Sequence, residues 1–200
     1  MRLHRTLSAA AVAALALGAG ACDDGLADIN ENPNAPRDVP AHVILPAALQ
    51  GTVEQVYGQW FNLEFAGLFA QHWAKIQYNE EDRFELRPAV IDGHWNNFYA
   101  GAGVQAVPVG GLSDWQLIID KGQNGELPQP NYEATGRVMK AYVGHVMTDI
   151  WGDIPWSEAL QGAAEDPITT PAYDAQSDVY GALVADLDAA LALFDPDALG

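Results

Sequence analysis

In this sequence, several aromatic side chains stand next to amide side chains. The chemistry that such pairs could perform is sugar binding. Tyr78 precedes Asn79, and Trp95 precedes Asn96, each at or near a predicted loop. An aromatic face can stack on the apolar C–H face of a sugar, while amide groups hydrogen-bond its hydroxyls. A competing interpretation is that Trp95 and Tyr99 only close a helix pair. The residues that we predict to bind ligand are Tyr78, Asn79, Trp95, Asn96 and Trp156.

Acidic residues offer a second kind of chemistry, the hydrolysis of glycosides. That reaction needs two carboxyl groups about 5 to 10 Å apart across a sugar-binding cleft. Residues 80–82 are all acidic, and Asp149 and Asp153 flank Trp151. Nothing in the sequence places such a pair across a cleft, so we predict no catalytic residue and no enzyme activity. A glycoside hydrolase is the enzymatic alternative.

Neither a metal site nor a cofactor is predicted. The five histidines have no metal-ligand spacing, and the sequence contains no serine-elbow or phosphate-binding glycine motif. Asp28, Asn30 and Asn32 alternate as in a calcium loop, but the glycine and distal glutamate of that loop are missing. His72 and His145 fall on apolar helix faces and are predicted to be buried.

The charge of the chain narrows its possible partners. The formal net charge is −18 over 200 residues. Such a surface repels nucleic acid and anionic lipid headgroups, and it suits neutral ligands, cations or a basic partner. We therefore predict no nucleic-acid partner.

The N-terminal residues predict export and a lipid anchor. A short basic start precedes the apolar, small-residue run 7–21, which is too short to span a bilayer comfortably. Small residues lead directly into Cys22, the only cysteine, as in a bacterial lipobox, although Ala19 stands where leucine is preferred. We predict a signal peptide at 1–21, acylation of Cys22, and a tether at 22–40. The alternative is an ordinary secreted protein with a stray cysteine.

The elements that position these residues are predicted to be helices. Trp73 and Phe69 lie on one wide apolar helical stripe and are predicted to be core residues. No alternating strand pattern is found, and the glycine-rich stretch 101–111 is predicted only to interrupt the helices. Asp174 or Ser177 is expected to cap the last helix. Apolar residues at helical spacing predict helices over residues 41–57, 59–76, 90–101, 112–121, 131–151 and 176–194.

A corner with the sequence DIWGDIPWS, residues 149–157, follows the most regular of these helices. Trp151 continues the apolar helix face and is predicted to pack, whereas Trp156 is the more plausible ligand platform of the two. Gly152 permits a left-handed exit from the helix, and Pro155 fixes the next turn. Asp153 is expected to accept hydrogen bonds from nearby amides.

Several segments together resemble the SusD/RagB family of surface lipoproteins. The resemblance runs in order over nearly all of residues 22–195. The segment TDIWGDIPWSEAL, residues 148–160, is its most specific part. The other segments are LADINENPNAP, FAQHWAKIQYNEEDRF, WNNFYAG and YDAQSDVYGALVADLDAAL.

The resemblance implies an all-α, mainly helical fold, in which tetratricopeptide-like helix pairs carry long irregular loops. It implies a non-enzymatic lipoprotein, exposed on the outer membrane. The protein would capture glycans, or peptides, for a TonB-dependent outer-membrane barrel. Family members are usually more than twice this length, so residues 41–200 are expected to be the N-terminal part of a longer domain. A helical adaptor that binds only proteins is a further alternative.

Overall fold

The computed structural model describes residues 39–104, 107–125, 129–162 and 164–198. Residues 40–200 form one compact unit. Helices dominate it, as predicted, and the predicted helix bounds agree with the structure to within three residues, except for the second helix. The helices of the described residues are α1 (Ala41–Tyr57), a π-helix (Gln59–Ala66) that runs into α2 (Gly67–Phe69), a short 3₁₀-helix (Glu81–Arg83), α3 (Pro88–Ala100), α4 (Leu112–Asn124), α5 (Pro130–Trp151) and α6 (Gln176–Leu193).

The long helix α5 is the centre of the fold, and both α4 and α6 pack along it. Glycines let neighbouring side chains approach its backbone closely. A side chain at Gly136 would collide with Ile119 of α4, and one at Gly144 would collide with Trp156. The buried core gathers residues from α1, α3, α4, α5 and α6, among them Ala48, Phe98, Trp115, Ile118, Met147, Val179 and Leu183.

The second predicted helix is the clearest error of the periodicity analysis, because helical structure ends at Phe69 instead of 76. Gln71 takes a left-handed φ of 57°. The amide of His72 then donates to Gly67 O at 3.0 Å, and that of Gln71 donates to Leu68 O at 2.9 Å. This pair of bonds is a Schellman motif, which terminates a helix. Trp73, predicted to be core, therefore lies after the helix and is 44% exposed.

Phe69 and the histidines also differ from the sequence prediction. Phe69 is only partly buried, and its ring lies 4.7 Å from that of Phe65. His72 and His145 are exposed, so the prediction that they are buried was wrong. Among the described histidines, the buried one is His94, whose ring meets the ring of Phe61 edge-on at 5.6 Å.

A short antiparallel hairpin occupies the stretch that was predicted only to interrupt the helices. Its strands are β1 (Ala102–Val104) and β2 (Val107–Val109), and Gly103 pairs with Pro108. The hairpin packs against α1 at Gly51, where any Cβ would overlap the Val109 carbonyl. Gly110 then turns with a φ of +83°, which a side chain would strain.

Some sequence predictions lie outside the described residues, namely the signal peptide, Cys22 and nearly all of the tether. Within the described ranges, no helix has both the length and the apolarity that a membrane crossing requires.

Candidate functional site

The corner after α5 is a packed turn, as the sequence predicted. Gly152 leaves the helix with a φ of 75°, and the Thr148 hydroxyl donates to Gly152 O at 2.6 Å. The Trp151 ring is half-buried and meets the ring of Trp95 edge-on at 5.3 Å. It also meets the Phe98 ring at 5.6 Å. The first tryptophan of the corner therefore joins α5 to α3.

Two aspartates tie this corner to the start of α6. Asp153 Oδ1 accepts from the Gln176 amide at 2.9 Å, which satisfies a donor in the first turn of the helix. Asp174 O and N pair with N and O of Ile154 at 3.2 and 3.0 Å. No side chain of its own segment caps α6. The prediction that Asp174 or Ser177 caps it was therefore wrong.

The Asp174 side chain instead holds the residues after Pro155. Its carboxylate accepts from the Ser157 amide and the Trp156 amide at 2.9 Å each, and from the Ser157 hydroxyl at 2.7 Å. These bonds, with the Ser157 amide first, hold the pKa of Asp174 below its ordinary value. The corner is therefore fastened by a carboxylate that stays charged at neutral pH.

Trp156, one of the predicted ligand residues, lies against α5. Its ring covers Gly144, and Lys140 Nζ lies 5.1 Å from the ring centroid. Burial lowers the pKa of Lys140, and its ammonium donates to Gln116 Oε1 at 2.8 Å. Trp156 is thus half-buried in a packed contact, and its role in ligand binding stays a prediction.

Trp95 lies beside the corner within an aromatic cluster. Its neighbours are Trp151, Tyr99 at 5.2 Å and Tyr173 at 6.1 Å, the last with ring planes only 17° apart. The Tyr99 hydroxyl donates to Pro155 O at 2.7 Å, and burial is the main cause that raises the pKa of Tyr99. Trp95 is half-buried, whereas Asn96 is exposed. These contacts agree with the competing interpretation, in which Trp95 and Tyr99 pack between helices, and the sugar-binding role of Trp95 stays a prediction.

Tyr173 belongs to this cluster but was not predicted from the sequence to bind ligand. It is 66% exposed although its ring stacks on that of Trp95. The sequence shows only that Tyr173 lies in the loop just before Asp174. It does not show which ring Tyr173 contacts.

The loop between α2 and α3 forms a separate candidate site around Tyr78. A cavity of about 620 Å³ opens here, with Tyr78 67% exposed on its wall. Three residues of this loop have a left-handed φ, namely Gln71, Tyr78 and Phe84, and Tyr78 is the one that lines the cavity. Strained backbone of this kind often accompanies ligand sites. The residues that line the cavity are Ala74, Lys75, Ile76, Gln77, Tyr78, Arg87 and Val90.

A buried carboxylate fixes this loop. Glu81 is 1% exposed, and its oxygens accept from Arg87 at 2.6 and 3.0 Å and contact Lys75 Nζ at 3.4 Å. Burial alone would raise the pKa of Glu81, but the Arg87 hydrogen bond and both cations bring it below its ordinary value. Asp82 Oδ2 accepts from the Lys75 amide at 2.7 Å. The predicted ligand residue Asn79 accepts from Arg83 at 2.5 Å through its Oδ1.

The predicted ligand residues thus fall in two places. Val90 of α3 lines the cavity. Trp95 lies farther along the same helix, displaced from Val90 by about 7.5 Å along the helix axis and by about 140° around that axis. Trp95 is not among the lining residues of the cavity. In the described part of the chain, no group of three or more His, Cys, Asp or Glu side chains is arranged to hold a metal ion.

Comparison with known families agrees with this architecture. The family model that matches, over residues 33–200, is SusD-like and carries the description starch-binding, associating with the outer membrane. The search of curated proteins found no match. The matched residues cover most of the chain, including every helix of its described part and both sites described above. The chain therefore belongs to the SusD-like family of outer-membrane-associated, glycan-binding proteins.

Proposed function

We propose that this protein captures neutral oligosaccharides at the outer membrane and delivers them to a TonB-dependent barrel. The observation that carries the proposal is the cavity at Tyr78. An exposed aromatic ring and the aliphatic Ile76 and Val90 stand there next to the donors of Lys75 and Arg87. This combination of apolar wall and directed polar groups is what a sugar requires. Membership of a glycan-binding family supports the same conclusion.

The rigidity of the loop favours binding there. Glu81 joins two cations across the loop, so Tyr78 projects from a backbone that is already ordered. A ligand then binds without the entropic cost of ordering the loop.

The charges around the cavity favour an uncharged ligand. Lys75 and Arg87 both contact the buried Glu81, and Glu80 lies 4.0 Å from Arg87. Their positive charge is balanced locally, and the chain as a whole carries −18. An anionic glycan would therefore meet a repulsive field.

The contacts of the acidic residues favour capture over hydrolysis. Glu81 and Asp82 hold the loop, and Asp153 binds the first turn of α6. Asp149 accepts from the Tyr180 hydroxyl and contacts His145 Nε2 at 3.1 Å. Four of the carboxylates that the sequence offered for acid–base chemistry thus have structural partners.

The experiment on the proposed function uses a panel of linear neutral oligosaccharides, with maltoheptaose, cellohexaose, xylohexaose and mannohexaose as probes. We expect saturable binding of at least one probe in calorimetry, without new reducing ends. Tyr78→Ala should weaken that binding about tenfold, because a stacking ring is lost. Tyr57→Ala is the matched control, since Tyr57 is 62% exposed and lies at the end of α1.

Two outcomes would contradict the proposal. Release of reducing ends that stops on a single Asp or Glu substitution would identify a glycoside hydrolase. Co-purification with an outer-membrane barrel, with no saturable sugar binding at all, would identify a protein-binding adaptor.

We further propose that Cys22 carries the lipid that anchors the protein. Two or more acyl chains give stable membrane binding. Cys22→Ser should therefore move the protein from the membrane fraction to the soluble fraction in cells that lack the barrel partner. Immunoblotting of the two fractions measures this, and a Cys22→Ser protein that still sediments with outer membrane would show that the lipobox interpretation is wrong.

A further inference from the structure

Tyr173 is an exposed aromatic residue with a fixed position. The residue is 66% exposed, but the backbone on either side of it is hydrogen-bonded. The Ala172 amide donates to Glu158 Oε2 at 2.9 Å, and Asp174 pairs with Ile154 through both main-chain groups. A ring held in this way loses little conformational freedom when it meets a ligand.

Trp95 beneath it has several aromatic neighbours. Trp151 approaches Trp95 edge-on at 5.3 Å, Tyr99 lies tilted at 5.2 Å, and Tyr173 lies nearly parallel to it at 6.1 Å. Trp95 is half-buried among them. Tyr173 is the more exposed ring of this parallel pair, so it offers more surface to a molecule in solution.

We propose that Tyr173 is a sugar-stacking ring of this protein and that Trp95 acts mainly as its support. The inference rests on the proposed glycan-binding function and adds a second contact point, separate from the cavity at Tyr78. The ligand class is a neutral oligosaccharide, because a pyranose offers the flat array of C–H groups that an exposed aromatic face takes. Asn96, the residue after Trp95 on α3, is exposed.

The polar surroundings of the ring favour a hydroxyl-bearing ligand. Tyr99 and Asp174 both lie near Tyr173, since the rings of Tyr99 and Tyr173 contact the same Trp95 ring and Asp174 follows Tyr173 in the chain. The Asp174 carboxylate accepts three bonds from Trp156 and Ser157. A sugar on Tyr173 would therefore meet an apolar face with hydrogen-bonding groups at its edge.

The test compares three substitutions of Tyr173 in the full-length protein, with the same oligosaccharide panel and calorimetry. Tyr173→Phe keeps the ring and should leave the affinity within about twofold, since stacking needs no hydroxyl. Tyr173→Leu keeps apolar cover over Trp95 but has no flat face, and it should weaken binding about tenfold. Tyr173→Ala should weaken it at least as much. Tyr57→Ala again serves as the exposed-tyrosine control.

The outcomes separate this inference from the proposed function. If the wild-type protein binds no probe, the proposed function fails and the inference fails with it. If the wild type binds and Tyr173→Leu binds equally well, the proposed function stands and Tyr173 is only a structural residue. If Phe and Leu weaken binding equally, the stacking role is wrong. If the Tyr173→Ala protein is too unstable to purify, Tyr173→Leu tests the inference in its place.

Discussion

Thr52→Val is expected to lower the free energy of unfolding by about 2 to 5 kcal/mol, although the two side chains have nearly the same shape. Thr52 is 2% exposed, and its hydroxyl donates to Gly110 O at 2.8 Å and accepts from Trp115 Nε1 at 2.9 Å. Valine would leave the indole N–H and the carbonyl buried without partners. Urea unfolding followed by circular dichroism measures the loss.

Thr52→Ser is the matched control for this prediction. Serine keeps the hydroxyl and loses only a methyl group, so a loss of about 1 kcal/mol is expected. A valine variant as stable as the serine variant would show that the hydroxyl does not make these two bonds. A large loss of stability for the valine variant alone would establish that the contact between α1, α4 and the hairpin depends on one hydroxyl.

The second large effect is expected for Trp151→Ala, which should cost about 3 kcal/mol. The ring bridges α5 to Trp95 and Phe98 of α3, so its removal opens a cavity between the two helices. In a chain of this size the melting temperature should fall by about 6 to 12 °C. Differential scanning calorimetry measures the shift.

Leu191→Ala serves as the control for Trp151→Ala, because Leu191 is 78% exposed on α6 and should change stability by no more than about 0.5 kcal/mol. A Trp151→Ala protein that melts normally but no longer binds sugar would reverse the interpretation. The corner would then be a ligand platform rather than a packed turn.

Most of the helical fold could be predicted from the sequence, because apolar residues at helical spacing indicate a helix with one buried face. The prediction failed at Gln71, whose left-handed backbone ends the helix without the glycine that usually marks such an end. It failed again at the hairpin, whose three-residue strands are too short to show alternation and include a glycine and a proline.

The candidate sites were predictable to different degrees. Tyr78 stands in a loop whose composition is visible in the sequence, so its exposure could be expected. Tyr173 was missed because its position depends on Ile154 and Ser157, about 20 residues away, and on the ring of Trp95 in another helix. Contacts at that separation leave no local pattern in the sequence.

The bridge between Ile154 and Asp174 also closes the ends of the loop segment 158–172. Once the ends of a loop are fixed together, doubling its length adds only about 0.6 kcal/mol of closure entropy. Apart from the bond from the Ile168 amide to Gln161 O at 3.3 Å, insertions within this segment should therefore cost little free energy, and the bonds that hold Tyr173 and the corner lie outside it or at its edges. The loop beside the aromatic cluster can therefore change in sequence and length, by evolution or by design, while the helices that support it stay the same.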